Sequence, residues 1–184
     1  MAEFKPVFEK MIRLEGGFVL HTVPGDRGGR TYAGISTRAH PDWTGWKKID
    51  AGETDAELTG LVREFYRRHY WEAISGDQIH SQAAAWQIFD FGVNAGIRTS
   101  VKIAQLVIGA TPDGVFGPKT LAAMNVGLKD DRDDELFVLR FSLLRVFRYK
   151  NICLNDSRRT GDQVVSNLKF LPGWINRIEK GVAS

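Results

Sequence analysis

The sequence of 184 residues predicts a mostly helical α+β fold with a short β element near its N-terminus. Two observations predict this class. Apolar residues recur at helical spacing in most segments, whereas residues 18–37 mix four glycines and one proline with residues that favour strands. A hydrophobic content of 43% is ordinary for a globular protein and allows a buried core.

The first predicted helix covers residues 3–14. Its apolar side repeats at helical spacing through Phe4, Val7, Phe8, Met11 and Ile12. Gly16 and Gly17 are expected to end the helix, because glycine readily takes the left-handed conformation that closes it. Glu15 therefore stands at a helix end, followed by a hairpin or irregular β element over 18–37.

Residues 38–53 are predicted to form a loop in which Trp43 and Trp46 are exposed. Thr54 and Glu57 match a capping box, in which the threonine accepts from a first-turn amide and the glutamate reaches back. The helix that they open continues towards Tyr70 and Trp71. Its inward residues are Leu58, Leu61, Val62 and Phe65.

The remainder of the chain is predicted to be helical. One helix runs from Ser81 to about Asn94 and ends at Gly96, and another covers residues 99–108. Gly117 and Pro118 begin the next, with proline at its first position. The last segments are a long helix opened by Asp133, Asp134 and Glu135, with Phe137, Phe141, Leu144 and Val146 on its core side, and a final helix over 174–180.

The chain starts again after Gly96, which predicts two halves, residues 1–96 and 97–184, that pack together. The first half holds 11 basic and 13 acidic residues and the second 14 and 9, within a total net charge of +3. A basic second half favours polyanions such as cell-wall polymers, or it is an ordinary mixed surface. Without a dense Lys/Arg run, nucleic acid is not expected as a partner.

Compartment and cofactors follow from residues that are few or missing. Cys153 is the single cysteine, so no internal disulfide forms, and it is predicted to be a small buried or semi-buried hydrophobe. No apolar run is long enough to span a bilayer, and no secretory signal is recognised. We therefore expect a monomer made in the cytoplasm and released by another component. The histidines, His21, His40, His69 and His80, lack metal-ligand spacing, so neither a metal nor another cofactor is expected.

Glu15, Asp26 and Thr31 form the most informative group of polar residues. Glycosidic cleavage needs a proton donor in an apolar setting and an ionised partner in a polar one. Glu15 has apolar neighbours, whereas Asp26 lies on a glycine-rich turn, and Thr31 is placed to hold a water or a sugar hydroxyl. The alternative is a solvated glutamate beside an ordinary turn. A carboxylate separation of roughly 5 Å would favour retention, and one of roughly 6.5–9.5 Å inversion.

Two motifs resemble known families. The first is Glu15-Gly16-Gly17-Phe18 followed by Asp26-x-Gly28-Gly29-x-Thr31-Tyr32-x-Gly34-Ile35. It resembles glycoside hydrolase family 108, the phage-type N-acetylmuramidases and endolysins. The second is Asp113-Gly114-x-Phe116-Gly117-Pro118-x-Thr120, which is similar to the peptidoglycan-binding-like region that accompanies that family.

The resemblance implies a lysozyme-like catalytic half packed on a helical peptidoglycan-binding-like half. It further implies hydrolysis of the β-1,4 bond between N-acetylmuramic acid and N-acetylglucosamine in the glycan strands of the cell wall, with Glu15 as catalytic acid. The resemblance also assigns Asp26 and Thr31 to the catalytic site, although the spacing of these residues differs among lysozyme families. Two alternatives stay open: a lytic transglycosylase that uses Glu15 alone, and a non-catalytic wall-binding module.

Further polar and aromatic residues are candidates for sugar contact. Aromatic rings at helical spacing either stack on sugars or form core. Three polar residues share one face of the helix after Ser81, where they bind sugar amides, orient Glu15, or form a buried hydrogen-bond network. The candidate substrate-binding residues are Tyr32, Tyr66, Tyr70, Gln87, Asp90 and Asn94.

Overall fold

A computed structural model describes residues 1–22, 29–53, 56–159 and 167–182. It confirms the mostly helical α+β class, with one small antiparallel sheet in the described residues. The helices are α1 Phe4–Leu14, α2 Gly45–Asp50, α3 Ala56–Tyr66, α4 Gln82–Ala95, α5 Ile97–Val107, α6 Pro118–Gly127, α7 Asp131–Arg159 and α8 Leu171–Val182. The strands are β1 Leu20–Thr22, β2 Arg30–Tyr32 and β3 Ile35–Ser36. Two compact units result, Glu3–Asp77 and Gln78–Ser184, the second with Met1–Ala2.

Helix α1 forms as its apolar periodicity predicts. Every residue of the predicted apolar side is buried. The helix ends at Leu14, and Gly16 and Gly17 follow with φ of +86° and +85°. These are the left-handed values for which glycine was expected, because a side chain there is strained.

The β element is a three-stranded sheet in the order β1-β2-β3. Thr31 pairs with His21 on one side and Ser36 on the other, whereas Tyr32 pairs with Leu20 and Ile35. Cross-strand partners share a face of the sheet. Tyr32 and Ile35 are buried, so Thr31 lies on the opposite face from this buried pair.

The predicted loop over 38–53 is wrong at α2, which occupies Gly45–Asp50. The short helix is secured by Trp46, whose ring is 5% exposed and whose Nε1 donates to the His40 carbonyl at 2.8 Å. Burial of one large ring thus outweighs weak local propensity. Trp43 is half-buried against Trp46, so neither tryptophan is exposed as expected. The capping residue Thr54 lies outside the described residues.

Helix α3 changes its winding directly after Tyr66. Arg67–Trp71 form a π-helical turn, and Glu72–Ile74 a 3₁₀ turn. Trp71 is fully buried, and its Nε1 donates to the Asp77 carboxylate at 2.8 Å. Such π turns are frequent at functional sites. The change of winding therefore indicates that this segment belongs to a candidate functional site.

The second unit contains most of the predicted helix boundaries. Ser81 caps α4 by accepting from the Ala84 amide at 3.0 Å, and Gly96 ends it with φ of +86°. Gly117 precedes α6, and Pro118 is its first residue. These boundaries confirm the sequence signals, since the side chains or backbone freedom that they require are local.

Three further sequence predictions concern residues of the second unit. Cys153 is buried, as predicted. Val146 is exposed rather than on the core side of α7. Helix α8 begins at Leu171, three residues before the predicted start, because a proline in the first helical turn loses no intrahelical hydrogen bond.

Candidate active site

Glu15 continues the buried stripe of α1 beyond the end of the helix. Phe4, Phe8 and Met11 are buried at spacings of four and three residues, and Glu15 follows Met11 by four more. The Glu15 amide still donates to the Met11 carbonyl at 3.0 Å, so its backbone direction is fixed by the helix. A half-buried carboxylate is thereby directed to the side of the helix that carries the core.

The Glu15 carboxylate lies against the backbone of Gly34 in the turn between β2 and β3. A methyl group placed on Gly34 would lie 2.9 Å from Glu15 Oε2 and 3.0 Å from its Cγ. The same methyl group would lie 2.5 Å from the Tyr66 hydroxyl oxygen. Only glycine therefore leaves room for the carboxylate and the phenol on this turn.

The turn that carries Gly34 is a tight two-residue hairpin connection. Ala33 and Gly34 have φ of 47° and 81°, the double positive values of a type I′ turn. A positive φ at Ala33, which has a side chain, costs about 1–2 kcal/mol of strain. The Tyr66 hydroxyl, which is buried, donates to the Ala33 carbonyl at 2.8 Å. Tyr66 thus helps to hold the strained turn under Glu15.

Tyr70 is the second phenol near Glu15. Burial raises the pKa of Tyr70, and the negative charge of Glu15 raises it further. The ring is half-buried and lies 5.8 Å from that of Tyr66. One residue of α3 and one of the π turn therefore bring two phenols to the same carboxylate.

The proximity of Tyr70 to Glu15 predicts a shift in titration. In Glu15→Gln, the pKa of Tyr70 is expected to fall towards its ordinary value without reaching it, because burial still disfavours the phenolate. The measurement is tyrosinate absorbance against pH, with Tyr70→Phe to assign the component. Glu9→Gln, an exposed change on the same helix, should leave the curve unaltered. Identical curves for Glu15→Gln and the wild type would contradict the contact.

The other predicted residues of the first unit lie as follows. Thr31 is half-buried in β2, and Asp26 lies outside the described residues. Tyr32 is buried, with its ring stacked on Trp43 at 6.3 Å and close to Phe18 at 6.4 Å. The contacts of Tyr32 are those of a core aromatic, and its binding of sugar stays a prediction.

Gln87, Asp90 and Asn94 belong to a polar network of the second unit. Asp90 is completely buried and accepts from Arg145 Nη2 at 2.9 Å and from Arg177 Nε at 2.8 Å. Arg145, also completely buried, donates to the Gln87 amide oxygen at 3.2 Å. Asn94 accepts from the Tyr149 hydroxyl at 3.0 Å. These are the contacts of a hydrogen-bond network, and sugar binding by these side chains stays a prediction.

The network predicts a large loss of stability on removal of one charge. Asp90→Asn leaves the buried guanidinium of Arg145 without its counter-charge, which is expected to cost about 3–5 kcal/mol. The measurement is the urea midpoint of unfolding. Asp131→Asn, an exposed change in the first turn of α7, is the matched control and should cost only a few tenths, about 0.5 kcal/mol. Equal midpoints for the two variants would show that the buried pair does not stabilise the fold.

A pocket of about 580 Å³ opens on another side of α3, where His40, Phe65 and His69 line it. Burial lowers the pKa of His40, and the charge of His69 lowers it further. Glu15 is not among the residues that line this pocket.

No described group of three or more His, Cys, Asp or Glu side chains is arranged to hold a metal ion. No described helix is sufficiently long and apolar to cross a membrane.

Comparison with solved structures defines the fold. Twelve solved chains match, among them the structure of Brucella abortus SagA, with a TM-score of 0.68 and 22% identity over 98% of this chain and 91% of that one. No curated protein matches the chain. The fold is lysozyme-like.

Two family matches meet near Gly96 and together cover most of the chain. Residues 8–96 match the family described as glycosyl hydrolase 108, and residues 99–179 match the family described as a predicted peptidoglycan domain. The two matches support a glycoside hydrolase that acts on peptidoglycan. The resemblance read from the two motifs is thus confirmed, with the catalytic region first and the wall-binding region second.

Proposed function

We propose that the protein cleaves the β-1,4 bond between N-acetylmuramic acid and N-acetylglucosamine by hydrolysis, with Glu15 as the general acid. The observation that carries the proposal is the Glu15 carboxylate, seated on Gly34 beside two phenols. A proton donor must be held in place against the leaving oxygen, and a carboxylate fixed by a helix end and a strained turn meets that need.

In the proposed reaction, Glu15 gives its proton to O4 of the N-acetylglucosamine as the bond to C1 of N-acetylmuramic acid breaks. Water adds to that C1, and its second proton leaves with a base. Asp26 stabilises the cationic centre or directs the water, and Thr31 positions the water. Tyr66 holds the turn, whereas Tyr70, half-buried at the carboxylate, contacts the sugar beside the cleaved bond.

The chemistry of the products tests this proposal. Purified peptidoglycan is digested with the wild-type protein, and the new ends are reduced with borohydride and identified by mass. Reduced N-acetylmuramic acid is the expected end. Reduced N-acetylglucosamine would place the cut at the other glycosidic bond.

Two further outcomes would replace the hydrolytic proposal. A 1,6-anhydro end without a new reducing end would indicate a lytic transglycosylase, in which the muramyl 6-hydroxyl replaces water. A protein that sediments with the wall and releases nothing would be a binding module. Under the proposal, the site of action is the cell wall, which the protein reaches after release by a partner, either during phage lysis or in support of secretion.

A further inference from the structure

A groove of about 500 Å³ runs between α5 and α7 in the second unit. Three cations line it: Arg98 and Lys102, one helical turn apart on α5, and Arg148 on α7. No Asp or Glu is among its lining residues in the part of the chain that the structure describes. The described lining of the groove therefore carries positive charge without a counter-charge of its own.

Two of these cations are not neutralised by their surroundings. Arg98 lies close to Asp113, whose pKa is lowered by hydrogen bonds from Val115 and Gln105 and, more weakly, by the Arg98 charge. Lys102 and Arg148 form no salt bridge with any described residue. Their charges are thus available to an anionic ligand.

The groove also carries exposed apolar surface. Leu106 is 53% exposed and Phe147 is 60% exposed, at opposite walls of the groove. The amide of Asn151 lies on the same wall as Phe147. A ligand that matches this lining carries carboxylates for the cations, small aliphatic groups for the apolar wall, and amides for Asn151.

We propose that the α5–α7 groove binds the peptide stems of peptidoglycan through Lys102 and Arg148. These stems are short peptides that carry both alanine methyl groups and free carboxylates. A peptide-free glycan offers the cations only the lactyl carboxylates of N-acetylmuramic acid and offers no amino-acid side chains to Leu106 and Phe147, and a phosphate polymer offers nothing apolar to these two residues. The proposal rests on the proposed function, because it places the enzyme on the same polymer that Glu15 cleaves.

Calorimetric titration of the full-length protein with a free stem pentapeptide tests the groove. Lys102→Gln with Arg148→Gln is expected to weaken binding about tenfold, because two charge-assisted contacts are lost. Lys119→Gln with Lys129→Gln removes two exposed cations from the same unit outside the groove and should leave the affinity unchanged. The wild-type affinity is expected to fall with rising salt and on amidation of the peptide carboxylates.

Three results would overturn the proposal: equal affinities for the two double variants, equal binding of the amidated peptide, or tighter binding of peptide-free glycan or of polyphosphate. Because the titration needs no cleavage, binding of the stem peptide can be established even if the wild type releases no sugar ends. Conversely, release of ends from peptidoglycan by the wild type would stand where the stem peptide fails to bind. The two failures are therefore distinguishable.

Discussion

Replacing Gly34 with alanine is expected to reduce release of sugar ends by at least about 100-fold, because the new methyl group crowds the carboxylate of Glu15, the proposed acid. That group would lie 2.9 Å from Glu15 Oε2 and 2.5 Å from the Tyr66 hydroxyl oxygen. A shift of the Glu15 carboxylate by about 1 Å would displace the proposed proton donor from its target, and such displacements cost about 10²-fold in rate.

The same substitution carries a second cost that a control can remove. Gly34 has φ of +81°, so the backbone of an alanine there is strained by about 1 kcal/mol, regardless of how much room surrounds the added methyl group. Gly52 has φ of +80° with no atom within 4 Å of the added methyl group. Gly52→Ala should therefore lose similar stability in urea and keep full activity. Equal activity of the two variants would show that Gly34 does not seat Glu15.

The sequence predicts those features of the site that depend on neighbouring residues. The end of α1 at Gly16 and Gly17 and the continuation of the apolar stripe to Glu15 are both local. So are the Ser81 cap and the Gly96 stop of α4. Each depends on a backbone preference or a hydrogen bond within a few residues, which a pattern records directly.

The contacts that complete the site join distant segments, and no local pattern records them. Tyr66 donates to Ala33 across 33 positions of the chain, and Gly34 receives Glu15 from another element. The motif around Gly34 shows that glycine is present, but not that a carboxylate needs its space. Helix α2 escapes prediction for a related reason, since it depends on tertiary burial of Trp46.

The buried network could be predicted only in part, because the sequence pattern indicates the polar residues of α4 but not their partners. The polar face of α4 was visible in the sequence, but its cationic partners lie 55 and 87 positions away. A signal was present in α7, where Arg145 stands four residues after Phe141 and four before Tyr149, both buried. A charge inside a buried stripe indicates a buried partner.

Replacing Glu15 with glutamine is expected to reduce peptidoglycan hydrolysis by roughly 10²–10⁴-fold, the usual contribution of a general acid. Glutamine keeps the size of the side chain and its place on Gly34, but its amide has no acidic proton and cannot act as a general acid. The variant should therefore keep the wild-type unfolding midpoint and still sediment with the wall. Glu9→Gln makes the same chemical change at an exposed position of α1 and should be fully active.

The most direct measurement is the rate at which reducing ends appear from purified peptidoglycan with equal amounts of wild type, Glu15→Gln and Glu9→Gln. We predict that the wild type and Glu9→Gln release ends at the same rate, whereas folded, wall-bound Glu15→Gln releases almost none. Release by Glu15→Gln at the wild-type rate would contradict the assignment of Glu15 as the acid.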